Sequence, residues 1–366
     1  MERSCLATLS CVVALLILAP LPLAGQDSGW VVPRTPWGDP DLMGTYTNKT
    51  FTPLQRPPEL AGREFLTAEE MATLEQERIA RNERLLNAPR EPSNVGGRSG
   101  RRDHEGVNGS AVGFYNNFWL DWGTRTTGRT SIIIDPRDGR LPPEIPEFQQ
   151  HQARREAAKR RASGDPETWP ASGSGYADSW TDFQLNDRCI VWSAGPPMLP
   201  GPYNNTYVIA QTPDHVAIRV EMIHETRIIP LDGRPHLPSP IRQYMGDMRG
   251  RWEGDTLVVE TANIRRTEGD PGAQGNDQIL LRASNGRTDD TIRAIERFTR
   301  VDADTITYQF TIEDASRWTR PFSGEYPFVR TDEDIFEYAC HEGNYSMSLM
   351  LAGQRAVERQ GRASAP

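Results

Sequence analysis

At 366 residues, 37% hydrophobic and 25% charged, the chain has enough apolar material for one large core or two modest ones. Its formal net charge of −9 repels phosphate backbones, which excludes nucleic acid as an expected partner.

The chain begins with the charged start Met1-Glu2-Arg3, followed by an apolar stretch over 6–24 that Pro20 and Pro22 interrupt. Small Ala24-Gly25 then precede polar Gln26-Asp27, the order of a cleaved signal peptide over residues 1–25. The uninterrupted apolar run is short for a bilayer span of ~20 residues, and no later stretch is apolar enough, so no stable span is expected after cleavage. Localisation is then periplasmic or secreted. Cys5 and Cys11 leave with the signal, and the two remaining cysteines, Cys189 and Cys340, are expected to pair in an oxidising compartment.

Residues 26–112 read as an arm, a helix and a loop. Prolines at 33, 36, 40, 53, 57 and 58 remove amide donors, so the arm is extended, with one strand around Gly44–Thr47. Thr67 and Glu70 form a capping box that starts a helix over 67–87, ending before Pro89. Residues 88–112 are polar and glycine-rich. A β-domain is expected over 113–345, with a solvated helix inserted at 148–163 and a C-terminal tail over 346–366.

Within that domain, apolar runs alternate with acidic turns. Asn205–Gln211 and Val216–His224 flank Thr-Pro-Asp-His, and Gly250–Trp252 and Leu257–Thr261 flank Glu253-Gly-Asp255. Ala294–Arg300 pairs with Thr305–Ile312, and Tyr326–Arg330 with Ile335–Cys340; a further hairpin is expected at Ser131–Arg140. Short links of this kind make antiparallel sheets. The expected fold is therefore mainly β: an antiparallel meander closed as an up-and-down, lipocalin-like barrel, or else a two-sheet sandwich, with the extended arm and two peripheral helices.

Period-two alternation aims His224 at the inner rim, and places Ile335, Glu337, Ala339 and His341 on one face. The segment His224–His236 packs two histidines, Glu225, Arg227, Asp232 and Arg234 around a turn. Histidine with carboxylate moves protons near neutral pH, and arginine holds a developing anion, so His224, Arg227, Asp232, His341 and Glu342 are candidate catalytic residues. The bland alternative is a rim of histidines bonded to backbone. His224, His236, His341 and Glu342 are also acceptable zinc ligands, although no short paired spacing supports a metal. A second segment offers Tyr115, Asn117, Phe118, Trp119, Asp121 and Trp122, either lining a substrate site or plugging the barrel; Tyr203 and Asn204 join the substrate-binding candidates with His236. No nucleophile-elbow, P-loop or dinucleotide fingerprint occurs, and the sequence names no cofactor.

Six blocks carry a resemblance: Pro40–Gly44, Tyr115–Arg125, Glu221–His236, Gly250–Glu260, Glu296–Asp302 and Tyr338–Asn344. Together they resemble a large group of exported bacterial proteins. The resemblance implies export and β-architecture, and it carries over no activity, cofactor or catalytic residue. The residues themselves point to an exported enzyme using His/carboxylate acid–base chemistry on a small organic molecule, a lyase, isomerase or hydrolase. The alternatives are a non-catalytic barrel that carries a hydrophobic or sugar-like ligand, and an envelope scaffold whose loops bind another protein.

Overall fold

Nine strands in the last two-thirds of the chain, where apolar and polar side chains alternate, join one strand of the N-terminal arm in a single antiparallel sheet of ten strands, bent into a nearly closed barrel. The computed structural model describes residues 30–87, 123–151, 153–154, 179–180, 185, 188–191, 195–201, 204–265 and 292–363. The strands are β1 (Gly44–Thr47), β2 (Ile133–Asp135), β3 (Thr206–Gln211), β4 (His215–Val220) and β5 (Thr226–Pro230), then β6 (Asp247–Glu253), β7 (Thr256–Ala262), β8 (Arg293–Arg300), β9 (Thr305–Glu313) and β10 (Phe322–Arg330). Around the sheet they run β5-β4-β3-β1-β10-β9-β8-β7-β6, with β2 pairing β10 beside that path. Two meanders, β3–β5 and β6–β10, are thus stitched together by the short strand of the arm. Tyr46 of β1 faces both Tyr207 and Arg330 in the ladders and is fully buried.

Period two decides what fills the barrel. β9 buries Ile306, Tyr308, Phe310 and Ile312; β10 buries Phe322, Gly324, Tyr326 and Phe328; β8 buries Ala294, Glu296, Phe298 and Arg300. The aromatic rings interlock, with the Tyr308 ring centroid 5.0 Å from Phe298, 5.2 Å from Tyr326 and 5.3 Å from Phe328. Gly324 lies beneath Phe310, where any Cβ would collide with the ring.

β5 and β6 are the two ends of the sheet and share no ladder. They meet through packing instead: a Cβ on Gly250 would lie 2.7 Å from Leu231 Cδ2 and 2.8 Å from Ile229 Cγ2. The β5 edge is also tied across the lumen. Arg227 of β5 makes a two-pronged ion pair with Glu296 of β8, both side chains wholly buried, and Tyr308 donates to Glu296 at 2.8 Å. Tyr308 also accepts from the Met198 N–H (3.2 Å), while the Met198 carbonyl accepts from Tyr326 and from Asn48 Nδ2 (2.7 Å). Burial works against the Arg227 charge, but Glu296 outweighs it and holds the guanidinium pKa above its usual value.

The first helix, α1 (Ala68–Asn87), starts on the expected capping box: Thr67 N–H donates to Glu70 at 2.8 Å and Glu70 N–H to Thr67 Oγ1 at 3.2 Å. The inserted helix begins at residue 146 and is described as far as 154, with Phe148 buried beneath Arg317. A third helix, α2 (Ser346–Ala363), occupies the segment read from sequence as a tail.

Two expected hairpins are corrected. Residues 331–340 form no strand, because β10 is already bonded by β9 on one side and by β1 and β2 on the other, so no edge remains for them. At Ser131–Arg140 β2 alone forms, and it pairs with β10 rather than with the chain that follows it. The expected signal peptide, the loop 88–112, Tyr115, Asn117, Phe118, Trp119, Asp121, Trp122 and Tyr203 lie outside the described residues.

Candidate functional site

The β4–β5 link decides where the rim histidine goes. Strand β4 stops at Val220, whose N–H donates to Glu225 O at 2.8 Å, while Glu221 N–H donates to Thr206 O at 3.0 Å. Between them Ile223 (φ 55°, ψ 19°) and His224 (φ 47°) both adopt left-handed backbone. A β-branched residue there stores strain on the order of 1–3 kcal/mol, which the burial of Met222 and Ile223 offsets. The result corrects the period-two expectation: Met222 and Ile223 turn inward, and His224 is exposed at the rim.

At that end of the barrel Cys189 and Cys340 form a disulfide, with a Cα–Cα distance of 5.8 Å across 151 residues of sequence. The bridge brings Arg188 and His341, each adjacent to a half-cystine, to one open groove lined by Trp180, Arg188, Cys189, Ile190, His341, Asn344 and Met347. The His224 and His341 ring centroids are 6.3 Å apart. His224 Nδ1 sits 3.0 Å from the Tyr338 carbonyl oxygen. A carbonyl only accepts, so Nδ1 carries the hydrogen, and in the neutral ring Nε2 is left as an acceptor. Neither ring nitrogen of His341 makes a hydrogen bond among the described residues. Beside His224, burial pushes the Glu225 carboxyl up, opposed by the histidine's charge. Asn204, with φ 53°, precedes β3 at the same end, and Glu342 is exposed next to His341.

The other candidates do not join them. Asp232 lies beyond the far end of β5, so the strand's five residues, about 16 Å of extended chain, separate it from His224. It is fastened to Arg234, whose hydrogen bonds lower the Asp232 carboxyl to about 2. Arg227 is sealed in the core with Glu296 and cannot hold an anion at the rim, which corrects that expectation. His236 belongs to a separate cluster at the start of β6: its Nδ1 is 2.9 Å from Asp247 Oδ2, and its Nε2 is 3.8 Å from Glu260 Oε1. Although partial burial opposes the Asp247 charge, the Leu237 N–H, His236 and Arg249 hold its carboxyl below the usual range. The proposed zinc ligands are therefore divided between two places, and no group of three or more His, Cys, Asp or Glu among the described residues could hold a metal ion.

Sequence reasoning missed Arg188, Trp180 and Tyr338. Arg188 was in reach, since a disulfide between Cys189 and Cys340 necessarily juxtaposes the neighbours of each cysteine.

No family model matches this chain, and no curated protein matches it. Among solved structures it is similar to a point mutant of the fluorescent protein UnaG, at 12% identity and a TM-score of 0.21, over 42% of this chain and 89% of that one. At that score the likeness carries no functional weight. Among the described residues no helix is long and apolar enough to cross a membrane.

Proposed function

We propose that the protein is an enzyme that moves protons on a small organic molecule at the disulfide end of the barrel, a lyase, isomerase or hydrolase in reaction class. The observation that carries this reading is the His224–His341 pair. Tyr338 orients one imidazole so that its Nε2 is an acceptor, and the second stands opposite with its ring nitrogens without hydrogen-bond partners among the described residues. A base oriented by a backbone carbonyl and a facing acid are the two roles that general acid–base catalysis requires. The backbone strain at Ile223 and His224 supports the same assignment, because strain of this kind collects at functional sites. On this reading His224 is the base and His341 the acid, and Asp232, Arg227 and His236 are not part of the machinery.

A second reading is a non-catalytic carrier. The mostly apolar groove lining, with Trp180, Ile190 and Met347, favours it. A turnover screen over small organic molecules separates the two. The enzyme reading expects His224→Ala and His341→Ala each to lower turnover about 10²- to 10⁴-fold, with cooperative unfolding retained. Binding without turnover that survives both changes supports the carrier. We further propose that the chain belongs with the exported bacterial proteins its blocks resemble, and that residues 1–25 are removed on export. Intact-mass measurement of secreted protein that still begins at Met1 contradicts this.

A further inference from the structure

The groove beside the Cys189–Cys340 bridge holds its arginine differently from three ion-paired arginines elsewhere in the protein. Arg227, Arg249 and Arg317 are each paired with a carboxylate, from Glu296, Asp247 and Glu144 respectively. Arg188 has no carboxylate partner among the described residues. Its guanidinium is fixed instead by stacking, 4.4 Å from the Trp180 ring centroid, with Nε buried and without a hydrogen-bond partner. The described lining of the groove therefore contains one cation and no carboxylate, in a chain of net charge −9.

We propose that the groove binds the carboxylate of a small aromatic acid, with Arg188 holding the anion by its outer nitrogens and Trp180 with Met347 taking the ring. This rests on the groove being the functional site, and it names that site's substrate class. Arginine's planar fork matches a carboxylate, and stacking on an indole holds the fork in place without neutralising it. Among the described residues Asn344 Nδ2 donates only to the Cys189 sulfur, at 3.4 Å, a weak acceptor that a ligand oxygen can replace. Trp180 is 56% exposed, so a large part of its surface remains for an apolar body. Met347 supplies a thioether beside it, a favourable neighbour for an aromatic ring. The body is short and flat rather than a long alkyl chain. A long chain needs the barrel lumen, and the lumen is filled by Tyr207, Phe298, Tyr308, Tyr326, Phe328 and Met198.

The test is calorimetric titration of the oxidised protein with benzoate, cinnamate, benzamide and hexanoate. Benzoate and cinnamate are expected to bind, with benzamide and hexanoate at least about tenfold weaker. Arg188→Ala is expected to weaken benzoate about 10- to 100-fold, and Arg188→Lys less, since it keeps the charge but loses the fork. Trp180→Ala weakens aromatic acids specifically. Thermal melts of each variant establish that it folds. Equal binding of benzoate and benzamide, or benzoate affinity unchanged in a folded Arg188→Ala, overturns the proposal. His224→Ala and His341→Ala separate it from the enzyme reading. Benzoate binding that depends on Arg188, with no aromatic acid turned over, keeps the ligand class and removes the catalysis. Turnover of uncharged molecules that survives Arg188→Ala does the reverse.

Discussion

The barrel interior and its disulfide end contain similar side chains used in opposite ways. Inside, polar groups bond one another across the lumen, with Asn48 Oδ1 alone of this set lacking a partner among the described residues: Arg227 with Glu296, Tyr308 with Glu296 and Met198, Tyr326 and Asn48 Nδ2 with the Met198 carbonyl. Burial drives the pKa values of Tyr308 and Tyr326 well above that of an ordinary tyrosine, so both hydroxyls stay protonated at any physiological pH. At the disulfide end, among the described residues, Arg188 is fixed without a carboxylate and the ring nitrogens of His341 make no hydrogen bond, while the backbone at Ile223 and His224 is strained. Satisfied polar groups specify a scaffold; polar groups held in place with unused capacity are what a ligand can use.

The largest effect expected in the interior comes from breaking the ion pair. Arg227→Met or Glu296→Gln alone leaves one buried group without its partner and should cost about 3–5 kcal/mol in denaturant unfolding. Replacing both, Arg227→Met with Glu296→Leu, should recover most of that loss. Equal losses in the single and double variants contradict the view that the pair is a closed unit.

At the other end, replacing Cys189 and Cys340 together by alanine should cost about 2–5 kcal/mol, because the bridge closes a loop of 151 residues. Hydrogen exchange should rise around 188–191 and 338–345 while the ladders of β8, β9 and β10 stay protected. Uniform loss of protection instead means that the bridge holds the barrel itself together.

How far the sequence foretold each region follows from the same difference. Alternation in Ala294–Arg300 and Thr305–Ile312 encodes β8 and β9 directly, because one buried face imposes period two on the residues themselves. The reciprocal bonds of Thr67 and Glu70 are equally local. The turn Glu221–Glu225 was illegible: it contains no Gly, Pro, Asn or Asp, and its left-handed residues are held by the Glu221 N–H bond to Thr206 O on β3 and the closing Val220 N–H bond to Glu225 O. The absent strand at Ile335–Cys340 was equally hidden, since its only vacant partner edge had been taken by β1, almost 300 residues earlier. α2 was available and overlooked. Asn344 accepts from the Ser346 N–H, and Met347, Met350, Leu351 and Gln354 recur at helical spacing on its less exposed side. Of the site, proximity of His341 to Arg188 followed from the disulfide, whereas the removal of Arg227 and Asp232 from it required the fold.

A smaller interior test is Gly324→Ala. The new Cβ meets Phe310 and Ile132, so a loss of about 1–3 kcal/mol is expected by thermal unfolding, with the disulfide end unaffected. Smaller still is Thr67→Ala, which removes the cap of α1 for about 1 kcal/mol. Glu70 adds a pH signature. Its carboxyl is lowered to about 2, chiefly by Arg63 and then by the Thr67 N–H. A depressed carboxyl stabilises above its ordinary value near 4.5 and loses that contribution as pH falls towards 2. Protection in the first turn of α1, relative to the intrinsic exchange rate at each pH, should therefore fall between those values in the wild type, and a flat protection profile there removes Glu70 from the cap.

The most direct measurement of the division between scaffold and site pairs Tyr308→Phe with His341→Ala, reading melting temperature and turnover on the same samples. Tyr308→Phe, which strips hydrogen bonds from Glu296 and Met198, is expected to lower the melting temperature and to leave turnover near wild type below it. His341→Ala should leave the melting temperature near wild type and remove most turnover. Turnover that survives His341→Ala but is lost in the folded Tyr308→Phe protein would place the chemistry in the barrel interior and contradict the account.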